Sequence, residues 1–387
     1  LAQYEHCREI LADELGVEPA AETRALYERI RHGELRAAAM HESRAPRVQA
    51  QAPAFLDRDA ERPVVPEERF VGREPELARL SEFLASALAG QGQVAFVTGE
   101  AGWGKTSLLN AFSRQAQRSH PELIVASGTC TAYAGTGDPY LPFRDILQML
   151  SADVEQEWAA GSISRSRALR LWHLLPRTID ALATRAPDLI GTFIPGEALV
   201  RRATSHDSIE PRVVAKVEEL MTLGEFAGRD RGIDQERIFD EWTALLRTLT
   251  GDGPLLLVLD DLHWADSSSI GLLFHLGRRL VDSPILILGA YRPEVVALGR
   301  AGREHPLASV LDEFKRRLGD VTVHLGPAIQ GGGRGFVDAL LDREPNQLGE
   351  DFRSRLARET QGHPLSAVEM VREMRDQGAI HQDEAGY

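Results

Sequence analysis

From residue 70 onward, short continuous apolar runs alternate with longer stretches of helical spacing. Apolar runs at 93–98, 123–127, 255–259 and 285–290, with a weaker one at 321–325, predict strands. Helical spacing predicts helices over 74–89, 105–117 and 268–280, a mainly helical stretch over 144–250, and a helical section over 335–380. The Gly/Asp/Arg-rich segment 223–233 predicts a loop. Unbroken apolar strands separated by helices predict an α/β fold, a parallel sheet covered on both faces. Upstream, the apolar positions Tyr4, Cys7, Ile10, Leu11 and Leu15 fit one helix that stops at Gly16. Thr23, Leu26, Tyr27 and Ile30 fit a second that ends near Gly33. This helix pair has the form of one tetratricopeptide-like repeat, which cannot bury its own face alone. Residues 41–66, rich in Ala, Arg, Gln and Pro, predict a linker.

Composition narrows the function. The chain has 387 residues, enough for two or three domains, with 43% hydrophobic and 26% charged residues. No apolar run approaches the ~18 residues of a membrane span. A net charge of −14 argues against a nucleic-acid-binding surface over the chain as a whole and leaves a small local basic patch open. Cys7 and Cys130 form neither a disulfide framework nor a zinc spacing, so the expectation is two buried thiols in a reducing, cytoplasmic setting. The sequence opens at Leu1 on residues that already read as mid-helix, which predicts a fragment of a longer protein. Lysine occurs only at 105, 216 and 315, so a lysine at a motif position stands out. Arg165, Arg167, Arg170, Arg201 and Arg202 in the helical stretch are read as a solvated face, with a trans-acting arginine finger as the alternative for any of them.

The segment Gly99-Glu100-Ala101-Gly102-Trp103-Gly104-Lys105-Thr106 fits G-x-x-x-x-G-K-[ST], between a predicted strand and a predicted helix. Gly99, Gly102 and Gly104 let the backbone curl so that its N–H groups face phosphate oxygens. The helix that begins at Lys105, Thr106 and Ser107 adds its N-terminal dipole. Lys105 reaches the β- and γ-phosphates of a bound nucleotide, and the Thr106 hydroxyl is a Mg²⁺ ligand. Trp103 places a bulky ring in this loop, where it could affect nucleotide access. The apolar run 255–259 delivers Asp260 and Asp261 at its C-terminal end, where α/β sheets bind ligands. Asp260 is the second candidate Mg²⁺ ligand, and Asp261 the candidate that orients or deprotonates water. Asp266 reads as the cap of the next helix, and His263 is open between a phosphate contact and packing.

These residues resemble the STAND class of P-loop, AAA-like ATPases. Beside the phosphate loop and the Asp260-Asp261 strand, Phe70-Val71-Gly72-Arg73-Glu74 looks like the motif that precedes the first helix and lies near the adenine. Ala290-Tyr291-Arg292-Pro293-Glu294 looks like the sensor strand, whose arginine faces the γ-phosphate. Gly362-His363-Pro364-Leu365 looks like the Gly-x-Pro motif of a helical lid, whose proline packs on the nucleotide. The resemblance therefore adds Arg292 to the catalytic set, and Val71, Gly72, Arg73 and Pro364 to the nucleotide contacts.

The N-terminal pair is similar to the end of the bacterial transcriptional activator domain, which in SARP-type regulators of antibiotic biosynthesis precedes a STAND ATPase. The implied organisation is an activator-domain end over 1–40, a linker over 41–67, an ATPase core over 68–325 with its helical insertion at 144–250, and a lid over 326–387. The implied function is a slowly hydrolysing ATP switch that self-associates on ATP. It would reach DNA and RNA polymerase only through domains this chain lacks, and it would not bind membranes. A LuxR-type ATP-binding regulator, the ATPase module of a signalling cyclase or kinase, and a scaffold without turnover are the alternatives.

Overall fold

The computed structural model describes residues 52–57, 72–132, 139–226, 234–299, 304–326, 333–343 and 346–380. The helix pair expected over 4–33, Cys7, Phe70 and Val71 lie outside them. Contacts divide the chain into two compact units, Leu1–Gln51 and Ala52–Tyr387, and every described residue belongs to the second.

Chain order begins with α1 (Glu74–Leu88), β1 (Gln93–Thr98), α2 (Lys105–Ser119) and β2 (Ile124–Thr129). A helical insertion follows: α3 (Leu141–Leu150), α4 (Glu155–Ala159), α5 (Arg165–Arg185), α6 (Gly196–Thr204), α7 (Pro211–Phe226) and α8 (Gln235–Leu249). The sheet resumes with β3 (Leu255–Asp260), α9 (Ser267–Arg279), β4 (Ile285–Tyr291), α10 (Pro293–Leu298), α11 (Pro306–Leu318) and β5 (Thr322–His324). Three helices close the described chain: α12 (Arg334–Leu341), α13 (Glu350–Thr360) and α14 (Pro364–Asp376).

The five strands are all parallel, in the order β2-β3-β4-β1-β5. Alternate side chains go to opposite faces. Ala95, Val97, Leu256, Val258, Leu286 and Leu288 pack beneath α1 and α2 with Leu80 and Phe112. Phe96, Leu255, Leu257, Ile285 and Ile287 pack on the other face against the insertion and α9, around the fully buried Trp242. Both faces being covered explains why these strands are apolar without alternation. α12–α14 hold a third, separate core around Val337, Leu356 and Ala367.

Two features differ from the sequence reading. Residues 52–57, inside the stretch expected as linker, carry a 3₁₀ turn whose Leu56 is fully buried in the main core. Arg167, Arg170 and Arg202, expected on a solvated face, turn inward. Arg167 is buried and donates to the Val125 carbonyl and the Ser127 hydroxyl; burial pulls its guanidinium down to about 10. Arg170 donates to the Leu123 carbonyl, and Arg202 pairs with Asp153 at 2.8 Å. These arginines satisfy main-chain and side-chain oxygens beside β2 and α3 that the packed insertion removes from water. Arg165 and Arg201 are exposed, as expected.

The insertion presses closely on the sheet at Gly128. A Cβ there would lie 1.9 Å from the Pro142 carbonyl oxygen, a backbone atom that cannot swing aside. Gly128→Ala is therefore expected to destabilise the chain by about 1–3 kcal/mol, the usual cost of overpacking. A urea midpoint equal to wild type would contradict this close approach.

Candidate functional site

Strand order places the site. β4 lies between β1 and β3, so three loops open side by side at the C-terminal edge of the sheet. β1 leads into the phosphate loop, β3 into Asp260 and Asp261, and β4 into Arg292. Gly102 and Gly104 have φ of 76° and 83°, left-handed values that let the loop curl before α2 begins. Gly104 is itself the residue that caps α2.

Lys105 is buried and donates from Nζ to the Gly99 and Glu100 carbonyls, both at 2.8 Å. Burial lowers its pKa, and the nearby Arg292 lowers it further, against the pull of Asp261 and Asp260. The Thr106 hydroxyl donates to Asp260 Oδ2 at 2.6 Å, which joins the two candidate Mg²⁺ ligands across β4. Asp260 Oδ1 accepts the Asp261 N–H at 2.8 Å. Asp261 adopts a left-handed conformation, φ 54°, which turns its carboxylate toward the cavity beside Lys105 and Arg292. Burial raises the Asp261 pKa, and the neighbouring Asp260 raises it further. The Arg292 Nε is buried and has no hydrogen-bond partner.

Opposite this polar wall stands the helical section 333–380. Phe336, Leu340, Pro364, Leu365 and Val368 face the phosphate loop across a cavity of about 460 Å³, a size suited to a small-molecule ligand. Arg73, Ser107, Asn110, Arg114 and Arg343 complete its rim. Leu365 and Val368 are 49% and 43% exposed, unusual for large aliphatic residues and in keeping with an apolar wall open to a ligand.

His363 fastens this section to the loop. Its Nδ1 accepts the Ser366 N–H at the start of α14, which leaves Nε2 to donate to the Ala101 carbonyl at 2.8 Å. The Leu365 N–H donates to the Gly102 carbonyl at 3.3 Å. A Cβ on Gly102 would fall 2.3 Å from His363 Cε1, so the contact itself requires glycine. Trp103, flagged as an oversized loop residue, is buried under this contact. Its ring meets that of His363 edge-on at 5.2 Å, and the Arg73 guanidinium lies 5.9 Å from its centre. Arg73 is held by Glu76 at 2.8 Å and by the Gly326 carbonyl. Sequence reasoning singled out Pro364 and passed over its neighbour His363, because only the folded chain brings residue 363 against residue 101.

Among the described residues no group of three His, Cys, Asp or Glu could hold an ion. Thr106 and Asp260 nevertheless fit Mg²⁺, which takes few protein oxygens and completes its shell with phosphates and water. Asp266 caps α9 through the Ser268 and Ser269 N–H groups. His263 is fully buried, with Nδ1 3.8 Å from Asp261 Oδ1, and so packs behind the site. Cys130 is buried and free, and burial raises its thiol pKa far out of the reactive range.

The AAA ATPase domain family matches residues 69–288, more than half of the chain. The chain belongs to this AAA ATPase family. The bacterial transcriptional activator domain family matches residues 1–31, ahead of the ATPase domain. Regulatory protein AfsR of Streptomyces griseus is 31% identical over 255 residues, which is 62% of this chain and 25% of that protein. An uncharacterized protein of Rhizobium meliloti is 24% identical over 228 residues, 58% of this chain and 18% of that one. The chain thus spans a quarter or less of these relatives. Among solved structures, Cdc6p of Pyrobaculum aerophilum aligns with a TM-score of 0.42 at 16% identity, over 82% of this chain and 66% of that one. The Aeropyrum pernix ORC1 protein, solved in complex with DNA, aligns with a TM-score of 0.39 at 18% identity, over 88% and 67%.

The structure brings Gly72, Arg73, Gly99, Gly102, Gly104, Lys105, Thr106, Ser107, Asp260, Asp261, Arg292 and Pro364 to one edge of the sheet or to the helices facing it. Val71 lies outside the described residues. No helix among the described residues is long and apolar enough to cross a membrane.

Proposed function

We propose that this chain is the ATP-dependent switch module of a bacterial transcriptional activator. The observation that carries the reading is the buried, unpartnered Arg292 Nε beside Lys105, facing the helical section fastened by His363. A buried guanidinium nitrogen without an acceptor is costly, and a γ-phosphate oxygen would satisfy it. Arg292, at the end of β4, then tells ATP from ADP. Lys105 neutralises phosphate charge, while Thr106 and Asp260 hold Mg²⁺. Asp261 accepts the proton of the attacking water, and the upward shift that burial and Asp260 give its pKa makes it a stronger base. The metal supplies charge neutralisation at the phosphates.

The residues facing the cavity from α12 and α14 form the lid, so contacts unique to ATP favour one lid position and hydrolysis releases it. Turnover is slow, since the task is gating. The adjacent match to an activator domain and the similarity to Regulatory protein AfsR support placing this switch in transcription control. We assign residues 1–40 to the end of that domain and the chain after about residue 326 to the lid, and we place the protein in the cytoplasm with self-association on ATP. With a net charge of −14, this chain leaves DNA and RNA polymerase to other domains.

Hydrogen exchange over α12–α14 tests the switch. Mg–ATP is expected to protect these helices more than Mg–ADP does, and Arg292→Ala to erase the difference. Equal protection by the two nucleotides in the wild type would rule the switch out.

A further inference from the structure

A second concavity, of about 710 Å³, lies between α8, α9 and α11. It shares no lining residue with the nucleotide cavity. It sits toward the C-terminal end of α9, whereas the acidic strand end adjoins the N-terminus of that helix. Gly271, Phe274, His275 and Arg278 recur at offsets of three and four, so one face of α9 forms its floor. Arg279 and, from α11, Arg317 add two more guanidinium groups. Phe239 and Phe274 supply an apolar wall.

The charges here are unbalanced. Elsewhere Arg73, Arg202, Arg237, Arg334 and Arg353 each meet a carboxylate. Arg278, Arg279 and Arg317 form no ion pair among the described residues, although the chain is acidic overall. Three guanidinium groups face a single lining carboxylate, Glu236, and a second carboxylate, Asp240, stands behind the lining His275 at 3.6 Å. The Arg278 guanidinium lies 5.3 Å from the centre of the Phe274 ring, which positions it without using its N–H donors. Arg247 donates to the Arg279 carbonyl at 2.7 Å and fixes the chain at the end of α9. The floor passes close beside the Phe239 ring at Gly271, where even a Cβ would come within 3.4 Å of Phe239 Cζ. The carbonyl end of α9 opposes an anion and the N-terminal turn of α8 favours one, which leaves the arginines to decide.

We propose that this concavity binds a small phosphate monoester with an aromatic or apolar body. A monoester is dianionic near neutral pH and offers three acceptor oxygens to guanidinium forks. Its body rests against Phe239 and Phe274.

The test titrates phenyl phosphate and inorganic phosphate, by calorimetry, into the full chain carrying Lys105→Ala, so that the phosphate loop does not dominate the signal. Phenyl phosphate is expected to bind saturably and about tenfold more tightly than inorganic phosphate, and to weaken as salt is raised. Arg278→Ser with Arg317→Ser should weaken phenyl phosphate by about tenfold or more. Arg278→Lys with Arg317→Lys, which keeps the charge and loses the fork, should fall between and serves if the serine pair folds poorly. No saturable phenyl phosphate binding, or the same affinity after removal of both arginines, would overturn the proposal. Equal affinity for the two phosphates would overturn the role of the phenylalanine wall.

Discussion

Replacing Lys105 with alanine is expected to weaken Mg–ATP binding by about two to three orders of magnitude, measured by calorimetry. Its ammonium group is buried at the mouth of the phosphate loop and already bonded to two carbonyls at 2.8 Å, so it is oriented before any phosphate arrives. Removing one partner from a buried charge contact costs about 2–5 kcal/mol, and each 1.4 kcal/mol is about tenfold in affinity. The fold should tolerate the loss. A lysine whose folded pKa is lowered disfavours the folded state wherever it is charged, and this cost is full below the folded pKa and gone above the unfolded one. Near neutrality Lys105→Ala therefore removes an unfavourable charge along with its two hydrogen bonds. The thermal midpoint without nucleotide should stay within a few degrees of wild type, while the rise produced by Mg–ATP disappears. Mg–ATP affinity within threefold of wild type would refute the assignment of the loop.

Asp261→Asn is expected to separate binding from hydrolysis. Phosphate release should drop by about 10²- to 10³-fold, the usual contribution of a general base, with Mg–ATP affinity changed only a few-fold. The substitution should also stabilise the chain by up to about 1 kcal/mol. Two effects point that way. Asp261 sits at φ 54°, where asparagine is well tolerated. Its carboxylate pKa is raised by burial and by Asp260, so the ionised form costs stability. That cost is absent below the unfolded pKa, grows between the two values, and is full above the folded one. The same shift sets the wild-type pH profile: the acid limb of hydrolysis should lie above the ordinary carboxylate range. Wild-type phosphate release by Asp261→Asn would remove this residue from the chemistry.

Much of this site is legible in the chain itself, and the reasons are local. Strands buried on both faces must be apolar throughout, so β1, β3 and β4 stand out as unbroken runs. A loop that wraps phosphate needs glycine at fixed offsets, so Gly99, Gly102 and Gly104 are visible beside Lys105. An aspartate whose side chain caps the next helix announces itself at Asp266. What the sequence hides depends on distant partners. Strand order is not written in any strand, yet it alone puts Arg292 between Lys105 and Asp261. Arg167 and Arg202 look like surface charges on a helical stretch, because nothing nearby in sequence shows that β2 and α3 supply their acceptors. Leu56 sits in a segment whose composition is that of a linker, and only the core it fills shows otherwise. His363 carries no signal as a neighbour of the phosphate loop until the helices dock.

The register of the sheet has a consequence for how the molecule comes to exist. β1 pairs with β4, Gln93 beside Leu286, and β2 pairs with β3, Ile124 beside Leu255, with the whole insertion between them in the chain. No two neighbouring strands are joined by a short turn, so each pairing must close a long loop before it is rewarded. The nucleotide site is assembled from three such strands and is therefore a late product of folding. During refolding from urea, the recovery of ATP binding should trail the recovery of helix, and nucleotide added at the start should raise the final yield by capturing chains whose sheet has just closed.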